Sequence, residues 1–214
     1  MNRRLKATSS VRTSAGFQTL AGWLLRLFRL DFTVFDDVRG ERTATASAVL
    51  IVLGASITAG VGSWIWSMQH DYSGLDTAEV FVKTVLAGGL IQTGVFFVWV
   101  YITYVVLARA FGSQVVFADL VRTVGLAFAP MALSLFVGLA PLAVPFGVFS
   151  LGFMLLTTTA AVEQTAGVSE REAMVANLAG FGTFLVFMGA FANVAEAGSF
   201  GGLAPGLLFF SMDL

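Results

Sequence analysis

From Thr43 to Met68 the chain runs for about 25 residues without a charged side chain. A bilayer crossing takes about 20 apolar residues, and a soluble core rarely hides a helix that long and that uniform. Four further runs share its character, at Val80–Leu107, Val121–Leu139, Leu142–Val162 and Ala173–Val194. With 57% hydrophobic residues, 12% charged residues and a mean hydropathy of +0.85, the chain is too apolar for a water-soluble domain. The expectation is an all-α integral membrane bundle of five transmembrane helices.

The segments between the runs set its organisation. Ala108 to Pro130 is a short charged hinge between two spans, so Arg109, Asp119 and Arg122 belong at a bilayer surface. Gly112 within it permits a turn that side chains resist. Residues 1–42 read as a basic tail, mobile over Met1–Ala15 and retained because no cleavage site follows, and then an amphipathic helix over Gly16–Leu30. In that helix Phe17, Leu20, Trp23, Leu24, Leu27, Phe28 and Leu30 share a face, with Gln18, Arg26 and Arg29 opposite, so it either lies in the headgroup plane or docks on the bundle. Residues 43–194 form the membrane domain. Residues 195–214 are a short tail whose run Leu203–Met212 is too short to cross and reads as interfacial or re-entrant.

Charge then orients the bundle. With five spans, eleven of the 12 Lys and Arg residues fall on the side of the N-terminus, and only Lys83 falls opposite. Loops rich in Lys and Arg stay cytoplasmic. The expected location is the plasma membrane, with the N-terminus inside and the C-terminus outside.

Within the spans, Gly54, Thr58 and Gly62, and beside them Ala55, Ala59 and Ser63, recur every four residues and suit close helix packing. Ala176, Gly180 and Thr183 do the same in the fifth span. Trp64 and Trp66 fit the membrane surface. Gln92 is expected to hydrogen-bond between helices, and Thr157, Thr158 and Thr159 to bond back to their own helix or bridge to a neighbour. Pro130 frees the Leu126 carbonyl and predicts a kink. Ser169 and Glu172 have the spacing of a capping box.

Chemistry has little to work with. Each Asp, Glu, Lys and Arg lies in a loop or near a helix end, no phosphate-binding or metalloprotease motif is present, and there is no cysteine. His70 alone makes no metal site, and reads as plain surface rather than as an axial ligand for haem or pigment. The expectation is a non-enzyme without cofactors, whose partners are the lipid bilayer, other membrane proteins or a second copy, and no nucleic acid.

Several segments resemble one family. Leu30-Asp31-Phe32-Thr33-Val34-Phe35-Asp36-Asp37-Val38 is similar to the pre-membrane segment of prokaryotic Yip proteins, with Phe32 where their pattern has proline. Leu107 to Gly112, Leu120 to Pro130, Ala161 to Gln164 and Ser169 to Ala173 resemble their later motifs. The Yip family comprises multi-pass partners of Ypt/Rab GTPases. The resemblance implies a five-helix domain without enzymatic activity and a role in membrane organisation or partner binding. Arg109, Asp119 and Arg122, one acid and two bases at the surface where the likeness is strongest, are candidate partner-binding residues; the alternatives are that they fix the second and third spans or that the arginines only anchor helix ends in headgroups. The alternatives carried beside the family role are an accessory subunit of a larger membrane complex and a small-solute transporter.

Overall fold

The computed structural model describes residues 18–41, 43–69 and 76–194, with only the backbone for residues 192–194. The basic tail, Arg42, His70 and the run Leu203–Met212 lie outside the described residues. All regular structure within them is helical, and five helices are long and apolar enough to cross a membrane. Two shorter helices come first, α1 at residues 18–28 and α2 at Val34–Gly40. The spans come next, at Ala44–Gln69, Thr77–Ala110, Phe117–Gly138, Ala140–Ala166 and Glu170–Val194. Each begins or ends within a few residues of its apolar run in the sequence.

The third span is the axis of the bundle. Along its most apolar 18 residues 72% are buried, against 28% for the fourth, and it packs along the first. Gly125 lies against Ala48, Gly62 against Ser134 and Leu135, and Gly138 against Ile65, so the first and third spans run parallel. The second span runs antiparallel to the first, with Gly60 against Thr84 and Val85 and Gly89 against Ile57. Of the two expected small-residue series, Ala55, Ala59 and Ser63 are buried, and the other is split: Gly62 is buried against the third span, whereas Gly54 faces outward with nothing near it. Gly60, outside both series, makes the closest approach to the second span.

Two spans depart from regular α-helix. The second turns π-helical at Val82–Ala87, after a short α-helical start at Thr77–Phe81, and there the backbone carbonyl of Thr84 lies against Gly60. In the third, Pro130 does more than kink the helix. The α-helical half ends at Ala127, and Ala129–Gly138 continues as a 3-10 helix. Proline lacks the amide hydrogen that α-winding needs, and its ring crowds the preceding turn. The Ala127 carbonyl left at the break accepts a hydrogen bond from Thr157 Oγ1 of the fourth span at 2.7 Å.

Around this axis the helices are joined by buried polar side chains. Trp99 Nε1 donates to Asn177 Oδ1 at 3.0 Å, and Asn177 Nδ2 donates to Thr158 Oγ1 and Thr159 Oγ1 at 2.9 and 3.0 Å. One asparagine thus ties the second, fourth and fifth spans together. Thr165 donates to Thr123 and Ser134 pairs with Ser150, both at 2.8 Å, which adds two links between the third and fourth spans. Such bonds contribute about 0.6 kcal/mol each in a membrane protein. Gln92 departs from expectation. It is fully buried, yet neither atom of its amide finds a hydrogen-bond partner, and Ser56 and Thr103 are in the same position.

The fifth span seats on the second through Gly180, where a Cβ would fall within 3 Å of the Trp99 ring, the Trp99 carbonyl and Thr103 Oγ1. Gly182, two residues on, has nothing within 4 Å. Both changes to alanine gain the same helix propensity, so packing alone separates them. Gly180→Ala should cost about 1–3 kcal/mol through overpacking, and Gly182→Ala should be neutral or slightly stabilising. Unfolding of the two variants in detergent checks this.

Candidate functional site

Charge among the described residues concentrates at one end of the bundle, where α1, α2, the hinge between the second and third spans, and the loop between the fourth and fifth meet. Only Asp76, Glu79 and Lys83 lie at the other end, the last two as an ion pair of 2.7 Å. That far end is closed by Gln69, which bonds the Gly138 carbonyl and accepts from the Ala140 amide, and by Trp64, whose Nε1 donates to the Thr77 carbonyl at 3.1 Å.

At the charged end two arginines organise everything before the first span. α1 stops because Leu30 turns into the left-handed region at φ 60°, with its amide bonded to the Leu27 carbonyl at 2.9 Å and that of Asp31 to Arg26 at 3.0 Å. This is a Schellman ending made without glycine, at a cost of about 1–2 kcal/mol. The reversal brings Arg26 over residues 31–37. Its Nε meets Asp31 at 2.7 Å, one terminal nitrogen meets Asp37, and the other donates to Thr33 Oγ1 at 2.8 Å. Arg26 is therefore half-buried against its own chain rather than spread toward the headgroups. α1 docks on the bundle, with Leu27 wholly buried and Phe28 edge-on to Phe153 at 5.7 Å.

The second arginine is Arg122, on the third span. Its Nε donates to Thr45 Oγ1 at 2.9 Å, and one terminal nitrogen bonds both Asp119 at 2.9 Å and the Arg39 carbonyl at 3.0 Å. Its side chain is 14% exposed. Asp119 thus pairs with Arg122, and that arginine holds the third span to the start of the first and to the end of α2. Arg109 does not join them. It is exposed at the end of the second span and makes no side-chain hydrogen bond or ion pair among the described residues. Beyond it Gly112 adopts φ 65° with open space around it, so conformation and not crowding calls for glycine there. Ser113 then bonds the Ala166 carbonyl at 3.2 Å, which fastens the hinge to the end of the fourth span. The capping box also forms, with Ser169 N and Oγ donating to Glu172 at 2.9 and 2.8 Å.

Among the described residues no three His, Asp or Glu side chains gather as a metal site would require. The residues with the most organising contacts beyond this end are Asn177 and Trp99, which carry no charge and so do not stand out in the charge pattern. An asparagine inside an apolar run, with a triple threonine in the span before it, is the available signal. Comparison with protein-family models, with curated proteins and with solved structures finds no match. What the fold defines is a five-span helical membrane bundle.

Both arginine clusters are open to direct test. Arg122→Lys should loosen the join between α2 and the first span, since one ammonium cannot reproduce a fork that reaches Thr45, Arg39 and Asp119 together. The loss should be about 1 kcal/mol and should appear as faster hydrogen exchange at the start of the first span. For Asp31, the hydroxyl of Thr33 and then the Arg26 guanidinium hold the carboxyl below its ordinary value. A lowered folded pKa means that its contribution is complete above the unfolded value near 4 and is lost as pH falls through the lower folded one. Protection of the amides at residues 31–37, relative to the intrinsic exchange rate at each pH, should therefore fall only below about pH 4, and Asp31→Asn should weaken that dependence.

Proposed function

We propose that the chain is a non-enzymatic multi-pass protein of the plasma membrane, of the Yip type, with its charged end in the cytoplasm and a scaffold role in which Arg109 meets a membrane partner. One observation carries this reading: of the three candidate residues, Asp119 and Arg122 are occupied within the fold, and Arg109 is exposed and unpaired among the described residues. An exposed guanidinium next to a fixed turn offers a planar fork to a partner carboxylate or phosphate. The cytoplasmic assignment is supported by charge, since Arg109, Arg122 and Arg171 sit at the same end as α1 and α2. The accessory-subunit reading draws support from Gly54 and Gly94, which face away from the bundle with nothing within 4 Å and leave room for a helix of another chain.

Orientation is tested by labelling, which is simple because the chain has no native cysteine. Gln114→Cys should react only from the cytoplasmic side and Ala140→Cys only from outside; the reverse pattern would turn the bundle over. For the partner, co-purification after mild detergent extraction should be lost in Arg109→Ala and weakened in Arg109→Lys, while Arg171→Ala leaves it intact. Equal recovery from all three variants rejects the role of Arg109.

A further inference from the structure

We propose that the cleft between α1 and the fourth span holds one acyl chain of an anionic phospholipid, with the lipid phosphate met by Arg29. The cleft has a volume of about 500 Å3 and is lined by Phe28, Leu30, Phe149, Gly152, Phe153 and Leu156, every one apolar or lacking a side chain. It opens away from the bundle, where Phe149 is 56% and Leu156 53% exposed. Gly152 lies eleven residues before Glu163, which places the cleft about 16 Å along the fourth span from its charged end, on the hydrocarbon side of the surface. A groove in that position is bathed in lipid.

Three features make it a site for one chain rather than ordinary lipid-facing surface. Gly152 has nothing within 4 Å of where its Cβ would be, so the floor of the cleft is empty space that a larger residue would fill. Leu30 forms part of the wall from a left-handed backbone, a position fixed by the two hydrogen bonds that end α1. Between Phe28 and Leu30 stands Arg29, exposed and without a side-chain partner among the described residues, whereas Arg26 is already held by Asp31 and Asp37. A guanidinium beside hydrocarbon is accommodated by stretching its stem along apolar surface until its head reaches a phosphate. Acyl chain in the cleft and phosphate at Arg29 satisfy both groups with one molecule.

The test is native mass spectrometry of the full chain in detergent, titrated in parallel with phosphatidylglycerol and phosphatidylcholine. The wild type should retain one lipid, with about a fivefold preference for phosphatidylglycerol, as one basic residue near a headgroup supplies. Arg29→Gln should remove the preference and keep the chain. Gly152→Leu should abolish retention of both lipids. Its fold is safe, because leucine is a better helix former than glycine and meets open space, and unchanged thermal unfolding in lipid-free detergent confirms that. Undiminished retention in Gly152→Leu overturns the cleft as the site, and a preference that survives Arg29→Gln overturns the role of that arginine. A wild type that holds no lipid and instead changes oligomeric mass in Gly152→Leu would assign the cleft to a second copy of the chain and sink the proposal.

Discussion

The hydroxyl of Thr157 resting on the carbonyl of Ala127 is the bond on which the interior depends. Hydrocarbon offers no water to an interrupted backbone, so a span can break only where another side chain supplies the missing partner. Pro130 sits in the most buried helix of the bundle, and the break it forces is met by the fourth span from across the interface. The threonine also bonds back to Phe153 and Met154 at 3.0 Å, which fixes its rotamer. The third and fourth spans are thereby set in register, and Thr123 with Thr165 and Ser134 with Ser150 extend that register in both directions.

The charged end applies the same logic to salt bridges. Each of its two central arginines uses several donors on groups from different parts of the chain, and so fixes geometry more than it contributes energy. Arg26 folds the chain back after α1, and Arg122 fastens the end of α2 to the first and third spans at once. With those two committed, Arg29 and Arg109 are left exposed, one just past the end of α1 and one at the hinge. The division between cations that build the fold and cations that face its surroundings is visible only once the contacts are known.

How much of this was legible in the sequence depends on the demands of bilayer insertion. Span number, the hinge, the glycine turn at Gly112 and the Ser169 cap could all be read, because each depends on local residue type. Which face of each span turns inward was legible only where small residues recur, as at Ala55, Ala59 and Ser63, since a helix apolar all round offers little contrast between lipid and neighbour. That is why the exposed Gly54 stood beside the closely packed Gly62 in one series, and why Gly60, which meets the second span, stood in none. It is also why Gln92 was expected to find a partner and Asn177 was overlooked, although burial treats them alike and only Asn177 meets Trp99 and the threonines. Of the site, the placement of Asp119 and Arg122 at one surface was legible, because both stand in the charged hinge between two apolar runs. The reach of Arg122 to Thr45 and Arg39 was not, because it joins residues far apart in the chain.

The 3-10 half of the third span has a metric consequence. A 3-10 helix rises about 2.0 Å per residue and an α-helix 1.5 Å, so the ten residues of Ala129–Gly138 reach about 5 Å further than they would if wound as α-helix. A segment with fewer residues than its neighbours thereby matches their height. Its far end, at Gly138, is gripped by Gln69 from the tip of the first span. The central helix is thus a stay held at full extension between the charged end and the opposite turn, and any rewinding of it would draw those two surfaces toward each other.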